Sequence, residues 1–260
     1  MPSLANGWRQ QRQVIGALMM REVITRFGRE NIGFLWIMVE PLLFAVLVGL
    51  GWRWLKGPEE HGVSIIAFVA TGYIPLTLFR NAVGRSVRVF SVNSSLLYHR
   101  QVKIVDFILV RVLIEVIGAM MAYVFVGTVL IAVGEFPVPA NLGLIIAGWG
   151  LYCLFTFAVC LVLAPLSEGS DVYERLIPVT VYIMIPFSGT FTMLSWLTPA
   201  AQQALWYSPF VHGMEMMRAG VFGDRVMAHF DPIVPLAASM FLLVIGLGLC
   251  RRVRRRLIVE

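Results

Sequence analysis

The chain has 260 residues, of which 58% are hydrophobic and 14% charged, with a formal net charge of +6 and a mean hydropathy of +0.80. Soluble domains carry roughly 45–50% apolar and about 25% charged residues, so this composition excludes an ordinary soluble protein and predicts an integral membrane protein. The basic residues flank apolar runs and form no continuous basic face, which argues against nucleic-acid binding.

The first predicted element is an amphipathic helix over residues 8–30. Its apolar face carries Ala17, Met20, Val23, Ile24 and Phe27, and its polar face Glu22, Thr25, Arg26 and Arg29. Such a helix lies in the plane of the lipid head groups. The alternative is a cytoplasmic helix packed on protein. No cleavable signal peptide is expected, so the first span would serve as the insertion signal.

Six apolar runs are long enough to cross the bilayer, which takes about 20 residues for about 30 Å of hydrocarbon. They cover residues 32–54, 63–79, 107–133, 142–166, 176–194 and 232–250. The second is the weakest, because Gly72 and Pro75 interrupt it. A basic tail, residues 251–260, follows the last run. The predicted fold class is an all-α integral membrane protein, with one transmembrane domain over residues 1–260 and its six spans within residues 32–250.

Loop charges predict the orientation. Segments 1–31, 80–111, 166–176 and 251–260 hold five, six, one and five basic residues, 17 of the 21 in the chain. Since basic loops stay in the cytoplasm, both termini are predicted to be cytoplasmic. The inner segment 166–176 is acidic, which indicates a surface that meets a basic partner.

Residues 195–231 are too long for a hairpin and too apolar for a free loop. Two hydroxyl–proline pairs predict helix starts at Pro199 and Pro209, and Gly220 and Gly223 are candidate stops. Two helices of about ten residues cannot cross a bilayer, but they can dip in from the outer side and return if protein covers their ends. An amphipathic cap on the outer surface is the alternative.

Enzyme motifs are missing from the sequence. It contains no P-loop and no His-Glu-x-x-His, so ATP hydrolysis and a zinc-protease site are not expected. His212 and Glu215 lie three apart, yet no third metal ligand accompanies them. Ser188 has no histidine within any span to activate it. The cysteines, Cys153, Cys160 and Cys250, predict neither a disulfide nor a metal site.

Ionisable residues within spans are functional candidates. Glu40 precedes Pro41 in the first span and is placed to face a cavity. Arg111 and Glu115 lie four apart in the third span, which would pair them on one helix face. Internal neutralisation is the alternative for all three. Aromatic rings within spans are candidates to line a conduit, with facing lipid as the alternative. Together with Glu40 the conduit candidates are Trp36, Phe44, Tyr152, Phe155, Tyr182, Phe187 and Phe191.

The inner loop 80–106 mixes apolar and basic residues over a helix-length stretch. This composition suits docking on a soluble partner as well as on lipid.

Several stretches together resemble the ABC type-2 exporter permeases, and within them the capsular polysaccharide export permeases. They are RFGRENIGFLW at 26–36 running into Val39-Glu40-Pro41, LLYHRQVK at 96–103 with Asp106, PFSGTF at 186–191, SWL at 195–197 and WYSPFVHGMEMMRAG at 206–220. The ordered set covers nearly the whole chain.

The resemblance implies a homodimer around a central conduit, with two copies of a nucleotide-binding ATPase beneath it. The partner would bind ATP and Mg²⁺, so this chain needs no cofactor. ATPase coupling would involve Arg88, Asn93, His99, Arg100, Gln101, Lys103, Glu168, Asp171 and Glu174. The outer gate, segment 195–231, would involve Trp196, Trp206, Tyr207, His212, Glu215 and Arg218. No appended sugar-recognition domain is expected after the sixth span, which would fit capsule export.

The favoured hypothesis is therefore the membrane subunit of an exporter of lipid-linked capsular polysaccharide in a bacterial inner membrane, with further periplasmic and outer-membrane export partners. The same architecture could export O-antigen, teichoic acid or a lipophilic drug. A hypothesis of a different class is a membrane-embedded glycosyl or acyl transferase, for which no catalytic constellation can be assembled from the sequence.

Overall fold

The computed structural model describes residues 4–27, 33–97 and 101–259, which fold into a helical bundle. The helices are α1 Leu4–Phe27, α2 Gly33–Lys56, α3 Ile65–Ser86, α4 Val89–Val92, α5 Ser94–Leu97, α6 Ile104–Ala132, α7 Leu142–Gly169, α8 Asp171–Ile183, α9 Pro199–Trp206, α10 Pro209–Phe222 and α11 Ile233–Val259. Strands β1 Glu59–Glu60 and β2 Val63–Ser64 form an antiparallel hairpin. Short 3₁₀ turns occupy Ile185–Ser188, Leu194–Trp196 and Gly223–Arg225.

Within the described residues, four segments are long and apolar enough to cross a membrane by length and composition. They are Trp36–Lys56, Ile65–Ser86, Leu142–Gly169 and Ile233–Arg255. Helix α6 has 29 residues, and its ionisable residues Asp106, Arg111 and Glu115 all lie in its first half. These helices correspond to five of the six predicted runs.

Helix α3 lies at the centre of the bundle, with α2, α6, α7, α8 and α10 packed around it. It is therefore buried on every side, although its sequence predicts the weakest span. The features that lower its hydropathy have packing roles. Thr71 and Thr77 are buried and bond to carbonyls of their own helix. A methyl group on Gly72 would lie only 2.1 Å from the carbonyl oxygen of Thr190, so only glycine permits this approach.

Helix α7 packs closely against α10 and α11. A Cβ added at Gly148 would lie 2.8 Å from the Gly213 carbonyl oxygen, and one at Gly246 would lie 2.7 Å from Cβ of Leu161. Small residues thus let the backbones approach, which is the usual device for packing helices in membranes.

The prediction of one continuous helix over residues 176–194 is wrong. Helix α8 has 13 residues and ends at Ile183, so it is about 20 Å long at 1.5 Å per residue. A 3₁₀ turn containing Pro186 follows, and Gly189 then adopts a left-handed conformation with φ of 71°. Proline lacks the N–H needed to continue the helix, and the glycine reverses the chain.

The basic tail predicted at 251–260 belongs to the last helix as far as Val259. Helix α11 continues through Arg251 and Arg252 to Val259 without a break. Arginine is a good helix former and can extend a helix into water, so the end of the apolar run did not mark the end of the helix. Residue 260 lies outside the described residues.

Contacts between loops group the predicted outer segments at one end of the bundle. Arg53, at the end of α2, forms a 2.8 Å salt bridge with Glu135 after α6, and Glu135 accepts a 2.7 Å bond from Ser64. The rings of Phe136 and Phe222 lie 6.2 Å apart. We call this the gate end. The basic end is the opposite one, with the segments 86–97, 101–103 and 167–171 and the arginines at the end of α11.

Candidate functional site

At the gate end, α10 is an interior helix. Three of its polar residues, spaced three apart, are almost fully buried: the exposed fractions are 0% for His212, 1% for Glu215 and 0% for Arg218. Helix α9 has no buried residue. The predicted helix starts at Pro199 and Pro209 are confirmed, and Gly223, with φ of 57°, follows the last residue of α10. Gly220 instead lies inside α10, so the stop predicted there is wrong.

The Arg218 guanidinium holds the turn that follows α8. Its Nη1 donates to the carbonyls of Gly189 at 2.7 Å and Thr192 at 3.1 Å, and its Nη2 donates to the carbonyl of Thr190 at 2.5 Å. Its Nε lies 3.5 Å from the Thr71 hydroxyl on α3. One side chain therefore ties the gate-end turn to the central helix.

Arg218 keeps its charge in this buried place. Burial lowers its pKa to about 10, which still leaves it protonated at neutral pH, and nearby Glu215 partly offsets the shift. The guanidinium carbon also lies 3.8 Å from the centroid of the Phe68 ring, close enough for a cation–π contact. With neutral carbonyls as its acceptors, the charge is solvated by the protein.

Glu215 and His212 clamp further loop segments to α10. The two carboxylate oxygens of Glu215 accept the backbone N–H groups of Leu194 at 2.9 Å and His229 at 3.0 Å. Burial raises the pKa of Glu215, and these two bonds oppose that shift. The backbone N–H of Asp231 donates to Nδ1 of His212 at 3.0 Å, so Nε2 carries the proton and donates to the Trp206 carbonyl at 2.7 Å.

The predicted gate aromatics lie around this frame. Trp196 stacks on His61 of the hairpin at 4.7 Å and contacts Phe68 at 4.5 Å. Trp206 meets the His212 ring edge-on at 5.0 Å, whereas Tyr207 is 80% exposed. The three polar residues of α10 are fully occupied by the protein, so Tyr207 is the gate residue most open to a ligand.

At the basic end, the structure brings together the two segments predicted to contact an ATPase. Glu168 accepts the backbone N–H groups of Phe90 and Ser91, each at 3.0 Å, and so caps the start of α4. Nη2 of Arg88 pairs with Asp171 at 2.5 Å and with Glu174 at 2.7 Å. The acidic segment 166–176 thus pairs with Arg88 of its own chain, whereas its composition predicted a basic partner.

The remaining predicted coupling residues differ in their exposure to solvent. Gln101 and Lys103 are exposed. Asn93 is buried, donating to the Val89 carbonyl at 2.8 Å and accepting from Arg21 at 3.0 Å, so its polar groups are used within the chain and its role as an ATPase contact stays a prediction. His99 and Arg100 lie outside the described residues.

Arg111 and Glu115 are both described, and they form no salt bridge with each other, contrary to the predicted intrahelical pair. Glu115 pairs with Arg26 of α1 at 2.5 Å and with Arg85 of α3 at 2.7 Å. Arg111 lies 3.5 Å from Glu22 of α1 and donates to the Arg85 carbonyl. Neutralisation occurs between helices, because these groups lie where three helices meet.

Helix α1 has its polar side toward the protein and large apolar side chains on the outside. Arg26 and Glu22 contact α6, and Gln11 donates to Asp106 at 2.6 Å. Met20 and Ile24 are 63% and 60% exposed. Polar residues of the helix such as Arg12 and Thr25 are exposed as well, and its place in the head-group plane stays a prediction.

A cavity of about 380 Å³ opens at the basic end between α1, α2, α3 and α6. Glu40 and Trp36 line it, as do the paired Arg26, Arg85 and Glu115. Glu40 thus faces a cavity, as its position before Pro41 predicted. The sequence offered no signal that Arg26 and Arg85 would pair with Glu115, since neither arginine forms a motif with that residue.

The aromatic conduit candidates divide into three groups. Tyr182 and Phe187 are 60% and 54% exposed, and Phe187 and Phe155 line an apolar cavity of about 450 Å³ beside α8. Phe44 stacks on Tyr73 at 3.6 Å, and Phe191 packs against Trp52 at 5.8 Å. Tyr152 is only 2% exposed, because α7 packs between α10 and α11, and its role as a conduit residue stays a prediction.

A family model described as the ABC-2 type transporter matches residues 13–222, which contain both the basic-end contacts and α10. The chain belongs to the ABC-2 type transporter family. The resemblance to ABC type-2 permeases, and among them to capsule export permeases, is confirmed.

Relatives of this ABC-2 chain match it nearly end to end. It is 40% identical to the capsule polysaccharide export inner-membrane protein CtrC of Neisseria meningitidis serogroup B, over 92% of this chain and 90% of that protein. It is 38% identical to the capsule polysaccharide export inner-membrane protein BexB of Haemophilus influenzae, over 91% and 89%. It is 24% identical to the polysialic acid transport protein KpsM of Escherichia coli, over 95% of both.

Proposed function

We propose that this chain is the membrane subunit of an ATP-driven exporter that moves lipid-linked capsular polysaccharide across a bacterial inner membrane. The observation that carries the proposal is the 40% identity over nine-tenths of a protein named for capsule polysaccharide export, together with the family match. The chain is a transport subunit and not an enzyme, and a partner ATPase supplies the energy.

In this proposal the chain crosses the membrane six times, with both termini in the cytoplasm. Helices α2, α3, α6, α7 and α11 are five of the crossings. The segment 171–194 is the remaining one, since it begins beside Arg88 at the basic end and reaches Arg218 at the gate end. Helices α9 and α10 return to the outer side without crossing.

Two copies of the chain form the conduit, and α8 with α2 provides the facing surface. The support is exposed apolar area that a single chain leaves uncovered. On α8 the exposed large residues are Val172, Tyr173, Leu176, Val179, Tyr182 and Ile183, and on α2 they are Trp36, Leu43, Leu47, Leu50, Trp54 and Leu55. The tyrosines give this surface hydroxyl groups that suit a sugar conduit better than lipid.

The loop from Arg88 to Lys103 receives the ATPase, and α8 receives the motion. The support is the double attachment of that loop to the junction of α7 and α8. Glu168 at the end of α7 accepts two backbone N–H groups of α4, and Asp171 at the start of α8 pairs with Arg88. ATP binding by the partner would favour one conduit state and hydrolysis another.

Transport in a reconstituted system tests this function. The chain is co-purified with the ATPase encoded beside it and placed in liposomes, and ATP-dependent uptake of lipid-linked capsular polysaccharide is measured against lipid-linked O-antigen, teichoic acid and a lipophilic drug. Capsular polysaccharide is expected to be preferred. Preference for another cargo, or sugar transfer by the chain alone, would overturn the proposal.

Charge-reversal variants test whether the coupling loop contacts the ATPase. Lys103→Glu together with Arg100→Glu is expected to abolish stimulated ATP turnover or release the ATPase, with membrane insertion unchanged. Arg225→Glu at the gate end is the matched control. Equal export by both variants would rule out this loop as the ATPase contact.

A further inference from the structure

The cavity at the basic end between α1, α2, α3 and α6 has mixed chemistry that the coupling and gate proposals do not use. Arg26, Arg85 and Glu115 lie on one side, and Trp36 and Glu40 lie on the other. Its volume of about 380 Å³ is in the range of small-ligand sites, which run from about 300 to 1,000 Å³.

The cluster in this cavity has an excess of positive charge. Two arginines share one oxygen of Glu115, at 2.5 Å and 2.7 Å, so this trio carries a net charge of +1. The other carboxylate in the cavity, Glu40, lies 3.7 Å from Arg80, whose charge offsets it. Glu115 engages Nη1 of Arg26 and Nε of Arg85. The other nitrogens of these two guanidiniums have no hydrogen-bond partner among the described residues. The cluster can therefore donate several further hydrogen bonds to an anion.

The cavity also opens outward at the side of the helix bundle. Trp36 is 56% exposed, and the side chains of Glu40 and Arg85 are 45% and 40% exposed. A tryptophan in such a position is typical of the boundary between head groups and hydrocarbon. The apolar outer surface of α1 lies next to it. A ligand would thus reach the arginines from the membrane surface.

We propose that this cavity binds the phosphate of an anionic lipid head group from the cytoplasmic leaflet, one whose charge is not offset by an ammonium group such as that of choline. Guanidinium groups match phosphate because their N–H donors form a fork with the spacing of two phosphate oxygens. The acyl chains would remain in the bilayer alongside Trp36. This inference rests on the proposed orientation of the exporter, with the basic end in the cytoplasm.

Lipid binding to the purified chain, without the ATPase, tests the inference. Native mass spectrometry counts phosphatidylglycerol bound per chain during titration, with zwitterionic phosphatidylcholine as the comparison. One tight phosphatidylglycerol per chain is expected. Arg85→Gln should weaken it about tenfold, as expected for loss of a charge-assisted hydrogen bond. Arg175→Gln, an exposed arginine on α8 outside the cavity, should bind as the unmodified chain does.

A second variant guards against misfolding of Arg85→Gln. Asn81 lines the cavity and makes no hydrogen bond to a described residue, so Asn81→Leu fills the space with apolar atoms and leaves the salt bridges intact. It should also weaken phosphatidylglycerol binding. Equal binding by the unmodified chain, Arg85→Gln and Asn81→Leu, or equal binding of both phospholipids, overturns the inference.

Competition identifies the source of the phosphate. A lipid-linked capsular saccharide that displaces phosphatidylglycerol from the chain makes the cavity a reception site for cargo. Failure to displace it makes the cavity a site for a bilayer phospholipid. Both outcomes support phosphate binding. Because polysaccharide uptake is measured separately, failure of this site leaves the export function standing, and failure of export leaves the binding result standing.

Discussion

Arg88 and Asp171, 83 residues apart in the sequence, form a salt bridge of 2.5 Å between the loop after α3 and the first residue of α8. The same guanidinium nitrogen reaches Glu174 at 2.7 Å. A force on the loop would therefore reach the start of α8, a helix on which six large apolar side chains are exposed.

Reversal of the charge at Arg88 should uncouple polysaccharide export from ATP hydrolysis by the partner ATPase. Arg88→Glu would place three carboxylates together, so we expect polysaccharide moved per ATP hydrolysed to fall severalfold while the ATPase still binds. The unfolding free energy should change by less than about 1 kcal/mol, because the pair is largely exposed. Asp171→Arg with Glu174→Arg in the same chain should restore part of the ratio. An unchanged ratio in Arg88→Glu would show that the salt bridge transmits nothing.

Arg218 should be the most sensitive residue at the gate end. Arg218→Met leaves the carbonyls of Gly189, Thr190 and Thr192 without their donor, and bonds to charged groups contribute about 1.5–3 kcal/mol each. We expect a loss of about 3 kcal/mol or more in unfolding free energy, measured by thermal unfolding in detergent. Arg218→Lys keeps the charge but loses the two-pronged guanidinium, so its unfolding free energy should lie between those of Arg218→Met and the unmodified chain. A stability equal to that of the unmodified chain would refute this role.

Gly72 is predicted to accept no larger residue. In Gly72→Ala the new methyl group would lie 2.1 Å from the Thr190 carbonyl oxygen and 2.6 Å from Nη2 of Arg218, so the turn must move, at a cost of about 1–3 kcal/mol. Gly84→Ala on the same helix is the control, since nothing lies within 4 Å of its new methyl group. That variant should gain up to about 1 kcal/mol from helix propensity. Equal thermal stability of the two variants would contradict the packing argument.

Glu115 should anchor α1 more strongly than Glu22 does. Glu115 is 6% exposed and pairs with two arginines, so Glu115→Gln leaves both uncompensated and should cost about 3–5 kcal/mol in thermal unfolding. Glu22 is 24% exposed and has one contact of 3.5 Å, so Glu22→Gln should cost less than about 1 kcal/mol. Equal losses of unfolding free energy in the two variants would show that the cluster of Glu115 with Arg26 and Arg85 stabilises the fold no more than the Glu22 contact does.

Local signals predicted much of the architecture. The proline at the first helical position located the starts of α9 and α10, and apolar length located α2, α3, α6, α7 and α11. The end of α8 was missed because hydropathy averages over Pro186 and Gly189, whose backbone geometry decides where the helix stops.

Pairing between distant residues could not be predicted in this way. Spacing favoured Arg111 with Glu115, yet each is bound by other residues of α1 and α3, because oppositely charged groups on those helices lie closer to them. Likewise, Asn93 looked like a loop residue available to a partner but is buried against α1. Such contacts depend on how helices pack, which no single segment encodes.

The arrangement of α1 has a consequence for biosynthesis. Its anchors, Asn93, Asp106, Arg111 and Glu115, leave the ribosome some 70 to 95 residues after their partners on α1. Until then its charges have only water and phospholipid to pair with, while its outer apolar side chains already suit the bilayer. The first helix made is therefore among the last to reach its final contacts, waiting on the membrane surface until the chain behind it has been inserted.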